Sequence, residues 1–157
     1  MTAHSVTHST FVLERTFEVP PARVFAAFAD PAIKARWFGG PPEWETTESS
    51  MDFRVGGGDI DRGGPKGGFF TSFESRYLDI VPDARIIFAY DMHLDGAHIS
   101  CSLTTVELAA VEGGTRLTLT EQGAYLDGYD DAGAREHGTG ELLDALGHEL
   151  QRQTIEA

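Results

Sequence analysis

The sequence predicts an α+β fold in which a curved antiparallel sheet of about six to seven strands is closed by a long C-terminal helix. Three observations predict it. Apolar and polar residues alternate with a period of two through much of the chain, as in half-buried strands. Short turns rich in glycine, proline and aspartate separate these stretches, which favours antiparallel neighbours. Leucines near the C-terminus recur with helical spacing instead.

Length and charge limit the class of protein to which the chain can belong. A chain of 157 residues with 41% apolar residues can bury one core, so we expect a single domain over residues 1–157 with its core at about 10–151. The formal charge of −13 would repel phosphate backbones and anionic lipid surfaces, so nucleic acid is not expected as a partner. No stretch approaches a membrane-spanning length, so membrane insertion is not expected either. Met1–Thr10 lacks the basic and apolar regions of a signal peptide, and we therefore expect a cytoplasmic protein.

The chain opens with a strand and a helical elbow. From Thr10 to Val19 apolar residues fall at almost every second position. Pro20 and Pro21 end this strand, because proline cannot donate to a ladder but suits the first turn of a helix. A short helix is predicted over Ala22–Ala29, and Asp30-Pro31 supplies the N-cap and first residue of a second one.

Further strands follow between Trp44 and Gln122. Their connections, such as Leu94-Asp95-Gly96-Ala97 and Glu112-Gly113-Gly114, have hairpin chemistry, so the sheet is expected to be antiparallel. The predicted strands are Trp44–Val55 with a break near Asp52, Phe69–Ile80, Ala84–His93, His98–Val111 and Thr115–Gln122.

A glycine-rich segment, Gly56–Gly68, lies between two of these strands. Glycine backbones can cradle anions, but Lys66 is followed by Gly67 in place of a hydroxyl residue, and no helix follows to supply its N-terminal dipole. A phosphate-binding loop is therefore not predicted. We expect a mobile hairpin connection here.

The closing helix is predicted over roughly Ala134–Gln151. Its apolar stripe is Leu142, Leu143, Leu146 and Leu150. Metal-type side chains recur on the opposite face, namely His137, Glu141, Asp144 and His148. Because His137 and His148 lie about 16 Å apart along the axis, one ion cannot bind both. We interpret this face as solvated and predict no metal site.

His93 and His98 flank a predicted hairpin turn, with Asp91 and Asp95 nearby. They could form a proton-transfer pair or a metal site, although a solvent-exposed, polar hairpin tip is the simpler interpretation.

Cys101 lies in an apolar, β-branched stretch and is predicted to be a small core residue. No serine or cysteine matches a histidine and a carboxylate at recognisable spacing, so a nucleophilic triad is not predicted.

Taken in order, these elements resemble the helix-grip fold (START-like or Bet v 1-like) of the SRPBCC superfamily. Within it the chain is similar to the activator of heat-shock-protein-90 ATPase homologue family, from Phe11 to Leu150. The motifs that carry the resemblance are Phe17–Phe25, Asp30-Pro31 through Arg36–Gly39, Phe53–Gly57, Ile80–Pro82 with Arg85–Phe88, and Gly114–Thr120. The resemblance implies a cavity between sheet and helix more than any particular chemistry.

One departure from the family pattern concerns the closing helix. The family helix usually opens with Gly-Trp, whereas Thr139 follows Gly138 here. Thr139 falls on the leucine side of the helix, so the missing ring predicts a roomier cavity beneath residues 139–147. The expected lining is Trp37, Phe38, Phe88, Tyr90, Met92, Tyr125, Thr139 and Leu143.

The leading hypothesis is a protein that binds a small apolar or amphipathic molecule by burying its apolar surface. The polar residues expected to set specificity are Tyr90, His98, Glu121 and Tyr125. A second hypothesis is an enzyme of the cyclase or hydratase kind, with His93, His98 or Glu121 as acid or base. A third, implied by the family name, is a co-chaperone that stimulates a heat-shock ATPase. No cofactor is expected, and a homodimer stays open.

Overall fold

The computed structural model describes residues 3–156, so Met1 and Thr2 of the N-terminal segment, and Ala157, lie outside the described residues. In chain order the elements are β1 (Val6–Phe17), α1 (Pro21–Ala29), α2 (Pro31–Trp37), β2 (Trp44–Met51), β3 (Asp59–Pro65), β4 (Thr71–Val81), β5 (Arg85–Leu94), β6 (Ala97–Val111), β7 (Gly114–Leu126) and α3 (Ala132–Glu156).

The strands form one seven-stranded antiparallel sheet in the order β1-β7-β6-β5-β4-β3-β2. Each strand from β3 to β7 pairs with the one before it, because short connections link them. The first strand closes the far edge by pairing with β7, with Val6 opposite Leu126 and Phe17 opposite Thr115. This confirms the antiparallel sheet and the helical elbow expected from the sequence.

The core lies between the helices and one face of the sheet, which we call the inner face. On that face buried residues recur at every second position, as with Leu117, Leu119 and Glu121 of β7. From α3, Leu143, Leu146 and Leu150 are each at most 2% exposed. The leucine stripe of α3 therefore packs against the inner face of the sheet, as its spacing predicts.

The helical elbow is fixed by Asp30. Its carboxylate accepts hydrogen bonds from the backbone N–H groups of Ala32, at 2.9 Å, and Ile33, at 3.4 Å. Trp37 ends α2, and its indole N–H donates to the Ala27 carbonyl at 2.9 Å. This bond ties the two short helices together and directs the chain after Trp37 towards the inner face.

The glycine-rich segment is the main error of the sequence prediction. We expected a mobile connection over Gly56–Gly68, whereas β3 runs through it and pairs with β2 and β4. The neighbouring backbones approach closely: a Cβ added at Gly63 would lie 2.1 Å from the Glu45 carbonyl oxygen, and one at Gly64 would lie 2.0 Å from that of Phe69. These glycines serve close strand packing, a role that propensity alone does not reveal.

Three elements are several residues longer than predicted. β1 begins at Val6 because its polar first residues pair with the end of β7, which itself continues to Leu126, and α3 extends from Ala132 to Glu156. Backbone pairing and helix propagation do not need an apolar pattern, so amphipathicity underestimates these lengths. No helix in the described residues combines the length and apolar character needed to cross a membrane.

Candidate functional site

The inner face brings together several residues that the sequence predicts to line a cavity. Phe88, Tyr90 and Met92 alternate along β5 and share this face, which Glu121 and Tyr125 of β7 also occupy. Trp37 and Leu143 belong to the core cluster beneath it, and Phe38 packs against that cluster. The strand faces, which sequence alone left open, are thereby fixed.

A charged network is buried on this face. The Tyr90 hydroxyl donates to Glu121 Oε2 at 2.8 Å, and the Thr104 hydroxyl donates to Glu121 Oε1 at 3.1 Å. From α3, Arg135 Nη1 donates to the Tyr90 oxygen at 2.9 Å and lies 3.8 Å from Glu121 Oε2. Asp130 accepts from Arg135 Nη2 at 2.8 Å. Two carboxylates therefore share one guanidinium that is only 11% exposed.

Burial sets the protonation behaviour of this network. Desolvation raises the pKa of the Glu121 carboxyl, although the Tyr90 hydrogen bond and the Arg135 charge partly oppose the shift. Desolvation, followed by the Glu121 charge, also raises the pKa of Tyr90, which keeps its hydroxyl protonated. Glu121 is thus a carboxyl group whose proton is held more strongly than in water, as expected of a buried acid or base.

The hydroxyl of Tyr125 is buried beside this network without a hydrogen-bond partner. Its ring covers Gly123, where an added Cβ would lie 2.8 Å from the hydroxyl oxygen. Arg135 lies over both neighbouring rings, 5.5 Å from the Tyr125 centroid and 5.7 Å from that of Tyr90. An unpartnered buried hydroxyl is costly, so a hydrogen-bond partner for this atom would be favourable.

Aromatic rings continue from the network across the inner face. Tyr90 contacts Phe73 at a centroid distance of 4.8 Å, and Phe73 contacts Phe38 at 5.2 Å. Phe88 lies 6.0 Å from Tyr90 on the other side. Phe38, Phe73 and Phe88 are only partly buried, so they present an apolar surface next to the charged groups.

Sequence analysis missed Arg135 as a site residue. A signal was present, because Arg135, Thr139 and Leu143 follow one another at four-residue spacing and so share one face of α3. Phe73 was also missed as a lining residue, because its position opposite Met92 of β5 depends on the strand register.

A second buried ion pair lies at the α2 end of the inner face. The Lys34 ammonium contacts the Asp59 carboxylate, which also accepts from the Tyr77 hydroxyl at 2.8 Å. Asp59 Oδ1 is buried without a partner. A hollow of about 210 Å³ opens beside this pair, bordered in part by Phe38 and Asp61. Desolvation raises the pKa of the Asp61 carboxyl.

Thr139 is partly buried on α3. The hollow beside Lys34 is not bordered by residues 139–147, and neither is another of about 270 Å³ bordered in part by Arg85 and Arg116. The roomier cavity beneath Thr139 therefore stays a prediction.

His98 lies apart from the other candidate site residues. Its Nε2 is 2.7 Å from Asp91 Oδ1 and 3.4 Å from Cys101 Sγ, on the face of the sheet opposite the helices, which we call the outer face. His93 stacks on His98 with a centroid distance of 4.6 Å. Glu121 lies on the inner face, so His93, His98 and Glu121 do not form one acid–base group.

The prediction that Cys101 is a core residue is wrong, because this cysteine is exposed. Its neighbours Ser100 and Ser102 are buried instead, so the strand turns the thiol outward. Partial desolvation and the Asp91 carboxylate raise the pKa of the Cys101 thiol, which is the opposite of activating a nucleophile. On α3, the face with His137 and Glu141 is exposed as predicted.

Comparison with known proteins agrees with this fold. The chain matches the family model described as Activator of Hsp90 ATPase homolog 1-like protein over residues 18–151. Among solved structures, a putative uncharacterised protein from Rhizobium leguminosarum is 44% identical with a TM-score of 0.91, over 96% of this chain and 99% of that one. The Mll3558 protein from Rhizobium loti is 50% identical with a TM-score of 0.87, over 92% and 99%.

A more distant neighbour shares the fold. The AHSA1-like protein from Aeromonas hydrophila is 22% identical with a TM-score of 0.74, over 94% of this chain and 95% of that one. No functionally curated protein matches the chain.

An antiparallel sheet gripping a long C-terminal helix, with two short helices after the first strand, defines a helix-grip protein of the START-like class. Its aromatic inner face carries a buried charged network, which is the candidate site. The chain belongs to the Activator of Hsp90 ATPase homolog 1-like family.

Proposed function

We propose that this protein binds one small amphipathic molecule against the inner face of its sheet. The apolar part would lie on Phe38, Phe73 and Phe88, and the polar part would reach the network of Tyr90, Glu121 and Arg135. The observation that carries the proposal is this charged network, which is buried next to partly exposed aromatic rings. A few polar groups in an otherwise apolar surround are typical of small-molecule sites.

Stability alone accounts poorly for the network. Removing Glu121 and Arg135 from water costs several kcal/mol per ion, which their attraction roughly offsets, so a buried ion pair adds little net stability. Apolar residues of similar size would pack the same space without that cost. A role in recognition explains why charged groups are placed there.

The charges around Arg135 indicate which polar group a ligand would carry. Arg135 already faces Glu121 and Asp130, so an anionic ligand would add a third negative group around one guanidinium. The polar atoms without a partner beside the network are the neutral hydroxyls of Tyr125 and Ser102, each of which can both donate and accept. We therefore infer a ligand with an apolar body and a neutral hydroxyl or carbonyl group.

Native mass spectrometry of the purified protein, before and after denaturation, tests the proposal. We expect an adduct near one molecule per chain that is released on unfolding. Tyr125→Phe removes only the hydroxyl and should weaken retention of that molecule about fivefold to tenfold, equivalent to one hydrogen bond of about 1 kcal/mol. Tyr129→Phe is the matched control, because Tyr129 is 54% exposed.

The proposal fails if the protein carries no adduct and a panel of fatty acids, sterols and aromatic polyketides leaves its thermal midpoint unchanged. Equal loss of retention in Tyr125→Phe and Tyr129→Phe would refute the placement of the polar group.

The raised pKa of Glu121 favours one second candidate, an enzyme of the cyclase or hydratase kind in which Glu121 acts as acid or base. Recovery of the bound molecule separates the two functions, because a carrier returns it unchanged and an enzyme converts it. Conversion of the bound molecule that persists in Glu121→Gln would exclude Glu121 from the chemistry.

The family name suggests a co-chaperone role, which predicts stimulation of a heat-shock ATPase. The same protein preparation can be assayed for that stimulation.

We further propose that the protein is cytoplasmic. Its only cysteine, Cys101, is a free and exposed thiol, which is compatible with a reducing compartment.

A further inference from the structure

We propose that Asp91, His98 and Cys101 bind a zinc ion on the outer face of the sheet. The proposal is independent of the ligand site on the inner face. It rests on how the strands place these three side chains, on the distances among their ligand atoms, and on the kind of donors they supply.

A β-bulge brings the three side chains to one face. Asp91 and Cys101 are directly opposite each other in the pairing of β5 with β6. His98 precedes Cys101 by three residues, a spacing that places side chains on opposite faces of a regular strand. The pairing shifts here and leaves Ile99 as an extra residue, so Ile99 and Ser100 are both buried in succession. The bulge therefore turns His98 to the outer face with Cys101.

The ligand atoms are already close to the spacing that zinc requires. One atom from each of the three residues lies within 4.8 Å of the others. The separation of 3.4 Å between His98 Nε2 and Cys101 Sγ is close to the roughly 3.5 Å expected around a tetrahedral zinc ion. The 2.7 Å separation between His98 Nε2 and Asp91 Oδ1 needs to open by only about 0.6 Å to reach zinc geometry.

The same geometry argues against a catalytic triad. In a triad the histidine binds the acid through one ring nitrogen and the nucleophile through the other. Here Nε2 of His98 faces both Asp91 and Cys101. Convergence of three donors on one region suits a cation between them and gives no path for a proton relay.

The donor set selects the metal. A thiolate, an imidazole and a carboxylate together match Zn²⁺, whereas Mg²⁺ and Ca²⁺ prefer oxygen ligands alone. His93 stacks on the His98 ring at an interplanar angle of 14° and so holds its plane. Three protein ligands leave a fourth position for water or for a group from another molecule. The His98 and Asp91 side chains are 40% and 49% exposed, so an ion can reach them from solvent.

Cobalt titration of the untagged, metal-free protein tests the site, because Co²⁺ substitutes for Zn²⁺ and reports its ligands by absorption. We expect one Co²⁺ per chain, a thiolate-to-cobalt charge-transfer band, and loss of that band when Zn²⁺ is added. Cys101→Ser should abolish the band. His98→Gln and Asp91→Asn should each lower the zinc affinity at least about tenfold, as even second-layer changes do at zinc sites.

His137→Gln is the matched control, since His137 is an exposed histidine beside a carboxylate, 2.8 Å from Glu141, on α3. It should leave the charge-transfer band and the zinc affinity unchanged. The site is refuted if no thiolate band develops, or if His137→Gln weakens zinc binding as much as His98→Gln. The substitutions at Asp91, His98 and Cys101 lie on the outer face, and an unchanged far-ultraviolet circular dichroism spectrum confirms that each variant is folded.

Discussion

At the scale of single residues, Glu121 shows how position decides chemistry. It is one of 25 acidic residues in the sequence, yet it is 2% exposed and contacts Tyr90 and Thr104 on the inner face. The alternation along β7 places it among inward-facing positions, so a buried carboxylate could be anticipated. Its partner Arg135 comes from α3, and only the packing of helix on sheet brings the two together.

The raised pKa of Glu121 gives a pH dependence with a definite sign. Above the ordinary value of 4.5 the unfolded chain releases this proton while the folded protein still holds it. The free energy of unfolding therefore falls as pH rises from 4.5 to the raised pKa. Glu121→Gln cannot titrate, so we expect the wild type to lose stability relative to this variant over that interval. Urea unfolding at a series of pH values measures the difference.

Glu112→Gln is the control for this experiment, because Glu112 is exposed in the turn between β6 and β7. Its stability should follow the wild type at every pH. Parallel stability curves for wild type and Glu121→Gln would contradict the shift.

At the scale of elements, the sequence signals were strongest at the boundary between the two short helices. Asp30-Pro31 indicated both the end of α1 and the start of α2, because a capping carboxylate and a proline act locally. β3 was missed since its glycines carry no strand propensity and pair because their neighbours approach closely.

The capping role of Asp30 predicts a loss of stability on substitution. Asp30→Ala removes the acceptor for the N–H groups of Ala32 and Ile33 and should lower the free energy of unfolding by about 1 kcal/mol. Asp30→Asn keeps an acceptor oxygen and should stay near wild type. Chemical denaturation compares the three proteins, and an equal loss in both variants would show that charge rather than capping is responsible.

At the scale of the whole molecule, the leucine stripe of α3 joins the helix to the sheet. Leu146 is fully buried in the core cluster, so Leu146→Ala leaves a cavity and should cost about 2–5 kcal/mol of unfolding free energy. Leu78→Ala, at a side chain 46% exposed on β4, should cost far less. Similar losses in the two variants, measured by urea unfolding, would contradict the assigned role of α3 in closing the fold.

The sequence by itself determined the fold class, the helical elbow, the antiparallel sheet and the apolar stripe of α3. These depend on periodicity, capping and turn chemistry, which act over a few neighbouring residues. Tertiary structure alone decided which strand faces point inward, that Arg135 meets Glu121, and that a bulge gathers Asp91, His98 and Cys101 on the outer face. The physical reason is register: a shift of one residue moves a side chain to the other face of a sheet, and that shift is set by the paired strand rather than by the local sequence.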